Sequence, residues 1–185
     1  MTDRHAISVL VRNDPGVLQR VSGLFSRRGY NIDSISVGDS GQERLSRTTV
    51  GAPGQEHLSR MTVGAPGQEH LSRMTVVARG DEPQIRQICS QLGKLLDVVK
   101  VEPLSGKPTI ERELLLVKLT AEPEKKAELL SLIETFRSSI VDVAPRTLIV
   151  QAVGDCDKND AFLRLLRPYG ILEIARTGET AMLRG

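Results

Sequence analysis

Aromatic residues are scarce in this chain: no Trp, three Phe and two Tyr among 185 residues. A protein that stacks on unpaired bases needs aromatic platforms, so a single-strand nucleic-acid reader is a poor fit. An excess of one charge is missing too. Lys plus Arg number 25 and Asp plus Glu 23, a net charge of +2, which provides no field for gripping a phosphate backbone. Two cysteines, Cys89 and Cys156, make no disulfide framework. No apolar run approaches the roughly 18 residues that would span a bilayer. Met1–His5 begins neither a signal peptide nor a transit segment. These absences predict a soluble, cytoplasmic globular protein with neither nucleic acid nor membrane as partner.

What is present is a tandem repeat. Residues 41–53 (GQERLSRTTVGAP), 54–66 (GQEHLSRMTVGAP) and 67–79 (GQEHLSRMTVVAR) recur with a period of 13, and adjacent copies agree at 11 of 13 positions. A solenoid has many units and a spaced consensus. Three near-identical copies instead indicate an in-frame duplication of one segment, and removing two of them leaves 159 residues. Two of the three histidines, His57 and His70, are copies of one surface position. Without a further His or Cys beside them they do not make a metal site.

The rest alternates strand and helix patterns. His5–Arg12 is an apolar strand candidate, and Asp14 with Pro15 suits the start of a helix carrying Val17, Val21, Leu24 and Phe25 and ended by Gly29. Asn31–Gly38 is predicted as a second strand and one copy of LSRMTV as a third. The third copy is favoured because Met74, Val76 and Ala78 share a face and lead directly into the next helix. That helix opens at Pro83 and carries Ile85, Ile88, Cys89, Leu92 and Leu96; Val98, Val99 and Val101 form a fourth strand. The same order recurs: strand Leu114–Leu119, a helix from Pro123 with Leu129, Ile133 and Phe136, strands Ile140–Val143 and Thr147–Val153, helix Asp160–Tyr169, and strand Ile171–Ala175. The expected fold is α+β: two ferredoxin-like βαββαβ domains, residues 1–103 and 110–185, joined by a linker at 104–109, with 41–66 as the duplicated insertion.

Catalytic constellations are sparse. There is no phosphate-binding Gly-rich loop with Lys and no Cys-x-x-Cys. Residues 155–160 (DCDKND) resemble the opening of a calcium loop, but position six is Asp160 and position twelve Leu166, so an acidic helix start fits better. Glu111 and Glu113 flank Arg112 and read as solvated charge. The informative segment is Asn13-Asp14-Pro15-Gly16-Val17-Leu18, where a strand hands over to a helix. Helix N-terminal amides suit a carboxylate, Gly16 permits close approach, and Asn13 can donate and accept. Taken alone, the residues fit an ordinary capped turn as well as an amino-acid site.

That turn, together with Leu24–Ser34 (LFSRRGYNIDS) and Leu71–Val76 (LSRMTV), resembles the ACT domain of the small, regulatory subunit of acetolactate synthase. The C-terminal half agrees through Glu111–Leu114, Leu116–Lys118, Asp160–Leu163, Glu173–Gly178 and Arg184-Gly185. The resemblance implies a chain with no catalytic or metal residues and no cofactor of its own. It would pair through its ACT domains as a homodimer and bind a large catalytic subunit carrying thiamine diphosphate, magnesium and FAD. It would activate that subunit and confer feedback inhibition by valine or another branched-chain amino acid. The implied effector residues are Asn13, Asp14, Pro15, Gly16, Val17 and Leu18 from one chain with Asn31 and Ile32 from its partner. The alternative is an amino-acid-sensing ACT module that controls a different enzyme or regulator.

Overall fold

Ile7, Val9 and Val11 alternate along the first strand and all three are fully buried, the period-two pattern that lays one face of a strand on a core. In the computed structural model, which describes residues 3–44 and 69–185, this strand is β1 (Asp3–Arg12). It leads to α1 (Val17–Arg27), β2 (Ile32–Arg44), β3 (Glu69–Gly80), α2 (Glu82–Leu92) and β4 (Val98–Pro103). The second run is β5 (Thr109–Thr120), α3 (Lys126–Thr135), β6 (Ser139–Val143), β7 (Thr147–Gly154), α4 (Cys156–Leu166), β8 (Ile171–Arg176) and β9 (Thr180–Leu183). The sheets have the orders β2-β3-β1-β4 and β6-β7-β5-β8, the same topology twice. The two ferredoxin-like units expected from the pattern are present.

Each sheet buries one face beneath its two helices. In the first unit Ile7, Val9, Val11, Met74, Val76 and Ala78 meet Val17, Val21, Leu24 and Phe25 of α1 and Ile85, Ile88 and Leu92 of α2. Side chains of this size contribute about 1.5–3 kcal/mol each when fully buried. In the second, Leu115, Val117, Leu119, Leu148 and Val150 meet Leu129, Ile133, Phe162 and Leu166, with Phe136 stacked on Phe162 at 4.9 Å. Met74, Val76 and Ala78 confirm that the third copy supplies β3. The competing segments Leu45–Val50 and Leu58–Val63, and His57, lie outside the described residues.

Several expectations are corrected. Asp14 does not cap α1: the N-cap is Gly16, left-handed at φ 82°, with no side-chain cap. The Asp14 carbonyl instead accepts from Val17 N–H at 3.3 Å, closing a turn with Pro15 and Gly16 at its centre, the residue order of a type II turn. Gly29 ends the helix as expected, at φ 69°, with Tyr30 N–H on Phe25 O at 3.0 Å, a Schellman closure. Leu96 follows the end of α2 and is 92% exposed. The helix expected from Asp160 begins at Cys156, capped by Asp155, whose carboxylate accepts from Lys158 N–H at 2.9 Å; residues 155–160 are therefore a helix start. Leu104, in the expected linker, is 2% exposed and donates its N–H to Ala6 O at 2.9 Å. β9 was not anticipated. It pairs with the first residues of β5, Thr109–Arg112, and its Ala181 packs with Ala6, Val77 and Leu104 on the face of the first sheet away from the helices.

Candidate effector site

The expected site residues fall into two groups at opposite ends of the first sheet. Asn13, Asp14, Pro15, Gly16, Val17 and Leu18 follow the end of β1, where Arg12 lies opposite Leu71. Asn31 and Ile32 stand at the start of β2, where Ile32 lies opposite Ala78. Seven residues of β3 separate these levels, about 23 Å at the usual strand rise. One chain does not bring the two groups together.

At the first end, Asn13, Asp14, Pro15 and Gly16 are all exposed, whereas Val17 is buried and anchors the turn to the core. The first intrahelical bond runs from Arg20 N–H to Gly16 O at 3.0 Å, so the amides of Leu18 and Gln19 point out of the helix start. No acidic residue occupies the first turn of α1, leaving the positive end of its dipole open to an anion. Asn13 N–H donates to His70 O at 2.8 Å, which ties the turn to the first residues of β3 and leaves the Asn13 side chain on the surface.

Sequence reasoning missed two residues beside this turn. Arg20 lies four positions beyond Gly16 and donates from Nε to Asp97 Oδ2 at 2.6 Å. Its Nη1 stands 3.1 Å from where a Cβ on Gly16 would sit. The i,i+4 spacing on α1 was a usable signal for Arg20; nothing local signalled Asp97, which arrives from the loop after α2.

At the second end, Asn31 Nδ2 donates to Asp33 Oδ1 at 3.2 Å. Asp33 Oδ2 accepts from Arg79 Nε at 2.8 Å and lies 3.7 Å from Arg4 Nε. Arg4 in turn donates from Nη1 to Glu179 Oε1 at 2.8 Å, beginning an ionic cluster between the units. Glu113, expected to be solvated, is 4% exposed; it accepts from the Arg176 guanidinium and from Asn159 Nδ2. Arg176 also holds Asp160 at 2.6 Å, keeping that carboxyl below its usual range. Burial pushes the Glu179 carboxyl and the Cys156 thiol up. Donor atoms of Glu113, Cys156 and Glu179 lie within 4.8 Å of one another, but Arg176 and Arg4 already neutralise the two carboxylates. Among the described residues, no helix is long and apolar enough to cross a membrane.

Comparison with known proteins agrees with this architecture. Residues 7–63 match the model of the AHAS small subunit-like ACT domain, and residues 112–185 that of the small subunit of acetolactate synthase. The chain is 46% identical to the probable acetolactate synthase small subunit of Methanothermobacter thermautotrophicus, over 99% of this chain and 94% of that one. It is 37% identical to the acetolactate synthase small subunit of Bacillus subtilis, over 98% and 91%. The crystal structure of the acetolactate synthase small subunit from Thermotoga maritima superposes with a TM-score of 0.78 at 38% identity, covering 99% of this chain and 98% of that one. The chain therefore belongs to the acetolactate synthase small subunits, the regulatory and non-catalytic chains of that enzyme.

Proposed function

We propose that this chain activates a thiamine-diphosphate catalytic subunit of acetolactate synthase and makes it sensitive to valine or another branched-chain amino acid. Thiamine diphosphate, magnesium and FAD then belong to the catalytic subunit. We take 1–103 as the ACT domain, 104–109 as the linker and 110–185 as the second domain. The effector lies between two ACT domains of a homodimer: the Asn13–Leu18 turn of one chain receives its carboxylate, and Asn31 and Ile32 of the partner close over it.

The separation of the two site groups within one chain carries this reading. β2 is the edge strand of its sheet, and its far end, at Glu43 opposite His70, lies at the same end of the sheet as Asn13. Antiparallel pairing of two β2 edges sets the start of one β2 toward the Asn13 end of the other chain. An amino acid that needs both groups then binds only to the dimer, so binding biases how the two chains sit together. Inhibition follows if the effector prefers the less active arrangement.

Reconstitution with a catalytic subunit tests this. Wild type is expected to raise acetolactate formation and to lose that activity on addition of valine, leucine or isoleucine. Asn13→Ala and Asn31→Ala should each raise the half-inhibiting concentration about tenfold, the loss of one or two polar contacts, while activation is retained. Loss of activation in both variants would place these residues in subunit contact instead.

A further inference from the structure

Three residues, Thr177–Glu179, separate β8 from β9, and they are bonded to both units. On the C-terminal side, Thr177 N–H donates to Leu114 O at 3.0 Å, and Thr177 Oγ1 accepts from Leu114 N–H at 3.0 Å. On the other side Gly178 lies flat against β2. A Cβ there would stand 3.1 Å from both C and O of Ile35 and 3.2 Å from Ser34 Cβ, so only glycine fits without moving the strand. Glu179, 3% exposed, accepts from Arg4 of β1. Thr180 Oγ1 and Ser36 Oγ of β2 lie 3.1 Å apart, and Ala181 N–H donates to Thr75 Oγ1 of β3 at 3.3 Å.

Residues 177–181 thus clasp three strands of the first sheet while continuing into the second unit. They start near the end of the sheet where β2 begins, at Arg4 and Ser34, and reach its middle at Ser36 and Thr75. Asp33, two residues after Asn31, sits beside the same arginine that holds Glu179. A shift of the β2 start moves Asp33, changes what competes for Arg4 and removes the surface on which Gly178 rests. Gly178 has no side chain to adjust and Glu179 is buried, so the contact is made or lost as a unit, the kind of discrete packing change that carries coupling.

We propose that this clasp transmits effector binding from the ACT sheet to the C-terminal unit, with Gly178 and Glu179 as its positioning residues. The proposal rests on the effector reading above and adds the route by which binding at Asn31 is felt elsewhere.

The test uses the full chain reconstituted with the catalytic subunit, alongside calorimetry of the chain alone with valine, leucine and isoleucine. Gly178→Ala and Glu179→Gln are expected to bind the same amino acid with unchanged affinity and to activate, while the half-inhibiting concentration rises about tenfold, a typical coupling ratio. A Ser36→Cys/Thr180→Cys chain, with Cys89 and Cys156 replaced by Ala, gives a reversible control that does not depend on Gly178→Ala folding. Its oxidised form should stop responding to the amino acid, and reduction should restore the response. Full inhibition in Glu179→Gln and in the oxidised chain would overturn the clasp. So would loss of binding by the isolated Glu179→Gln chain, since the residue would then belong to the binding site itself. If the wild type binds none of the three amino acids, the effector reading fails and the clasp fails with it.

Discussion

Gly16 is the residue at which the backbone geometry and the proposed effector chemistry make the same demand. Its φ of 82° lies where a Cβ costs about 1–2 kcal/mol, and the same absent Cβ leaves the outward-facing amides of α1 accessible. Gly16→Ala should therefore lower stability by about 1–2 kcal/mol in urea unfolding, with Arg20 moving aside because only its flexible tip is in the way. Gly16→Asp should lose about the same stability, yet raise the half-inhibiting concentration further than Ala does, because it sets a carboxylate against the effector's own. Equal inhibition in the two variants would show that the turn does not face the effector's carboxylate. The glycine was legible from its place between Pro15 and a helical pattern. Glu113 was not: its sequence neighbours Glu111 and Arg112 suggested solvated charge, whereas its partner Arg176 lies 63 residues away and only the fold brings the two together. The same holds for Asp33 and Arg79.

At the level of elements, apolar periodicity located the four α-helices among the described residues, and the ends were decided by chemistry the periodicity does not contain. α2 begins with a capping box: Asp81 accepts from Gln84 N–H at 2.8 Å, and Gln84 Oε1 accepts from Asp81 N–H at 2.9 Å. Pro83 marked this start correctly to within a residue or two. At α1 the resembling Asp-Pro pair misled, because the turn places Gly16 rather than Asp14 at the cap. Asp81→Ala should cost about 1 kcal/mol, and Asp81→Ser, which still accepts from Gln84, only a fraction of that. Urea midpoints of the two variants check the order; an Asp81→Ala midpoint equal to wild type would mean that packing of Ile85, Ile88 and Leu92 alone holds the helix start. β9 escaped because four residues show too little alternation to mark a strand, and what secures it is burial of Ala181 against the other unit.

At the scale of the whole molecule the repeated βαββαβ order was legible, since two short runs of alternating strands and helices leave few topologies open. In that order the last described pairs of β2 and β3 lie at the same end of the sheet as the Asn13 turn. Asn13 N–H on His70 O at 2.8 Å makes the link direct: the chain returning from the duplicated segment touches the turn within two residues of entering β3. Opposing copies of the repeat also extend the hairpin, with Glu43 and Arg44 of the first copy facing His70 and Glu69 of the third. Deleting residues 41–66 removes these two pairs and joins Ser40 to the third copy, leaving Asp39 opposite Ser72 above a short loop. Shortening the connection recovers about 1.2 kcal/mol of closure entropy, and losing the two backbone pairs offsets part of it, so stability should change little. Regulation should change more, because the segment leaves β2 and enters β3 beside the Asn13 turn, where the effector site is proposed. The deleted chain is expected to activate normally and to shift either its half-inhibiting concentration of valine or its affinity for the catalytic subunit. If titration of the reconstituted enzyme gives the same values for both chains, the duplicated segment is inert at both sites, and its position beside the turn has no consequence for control.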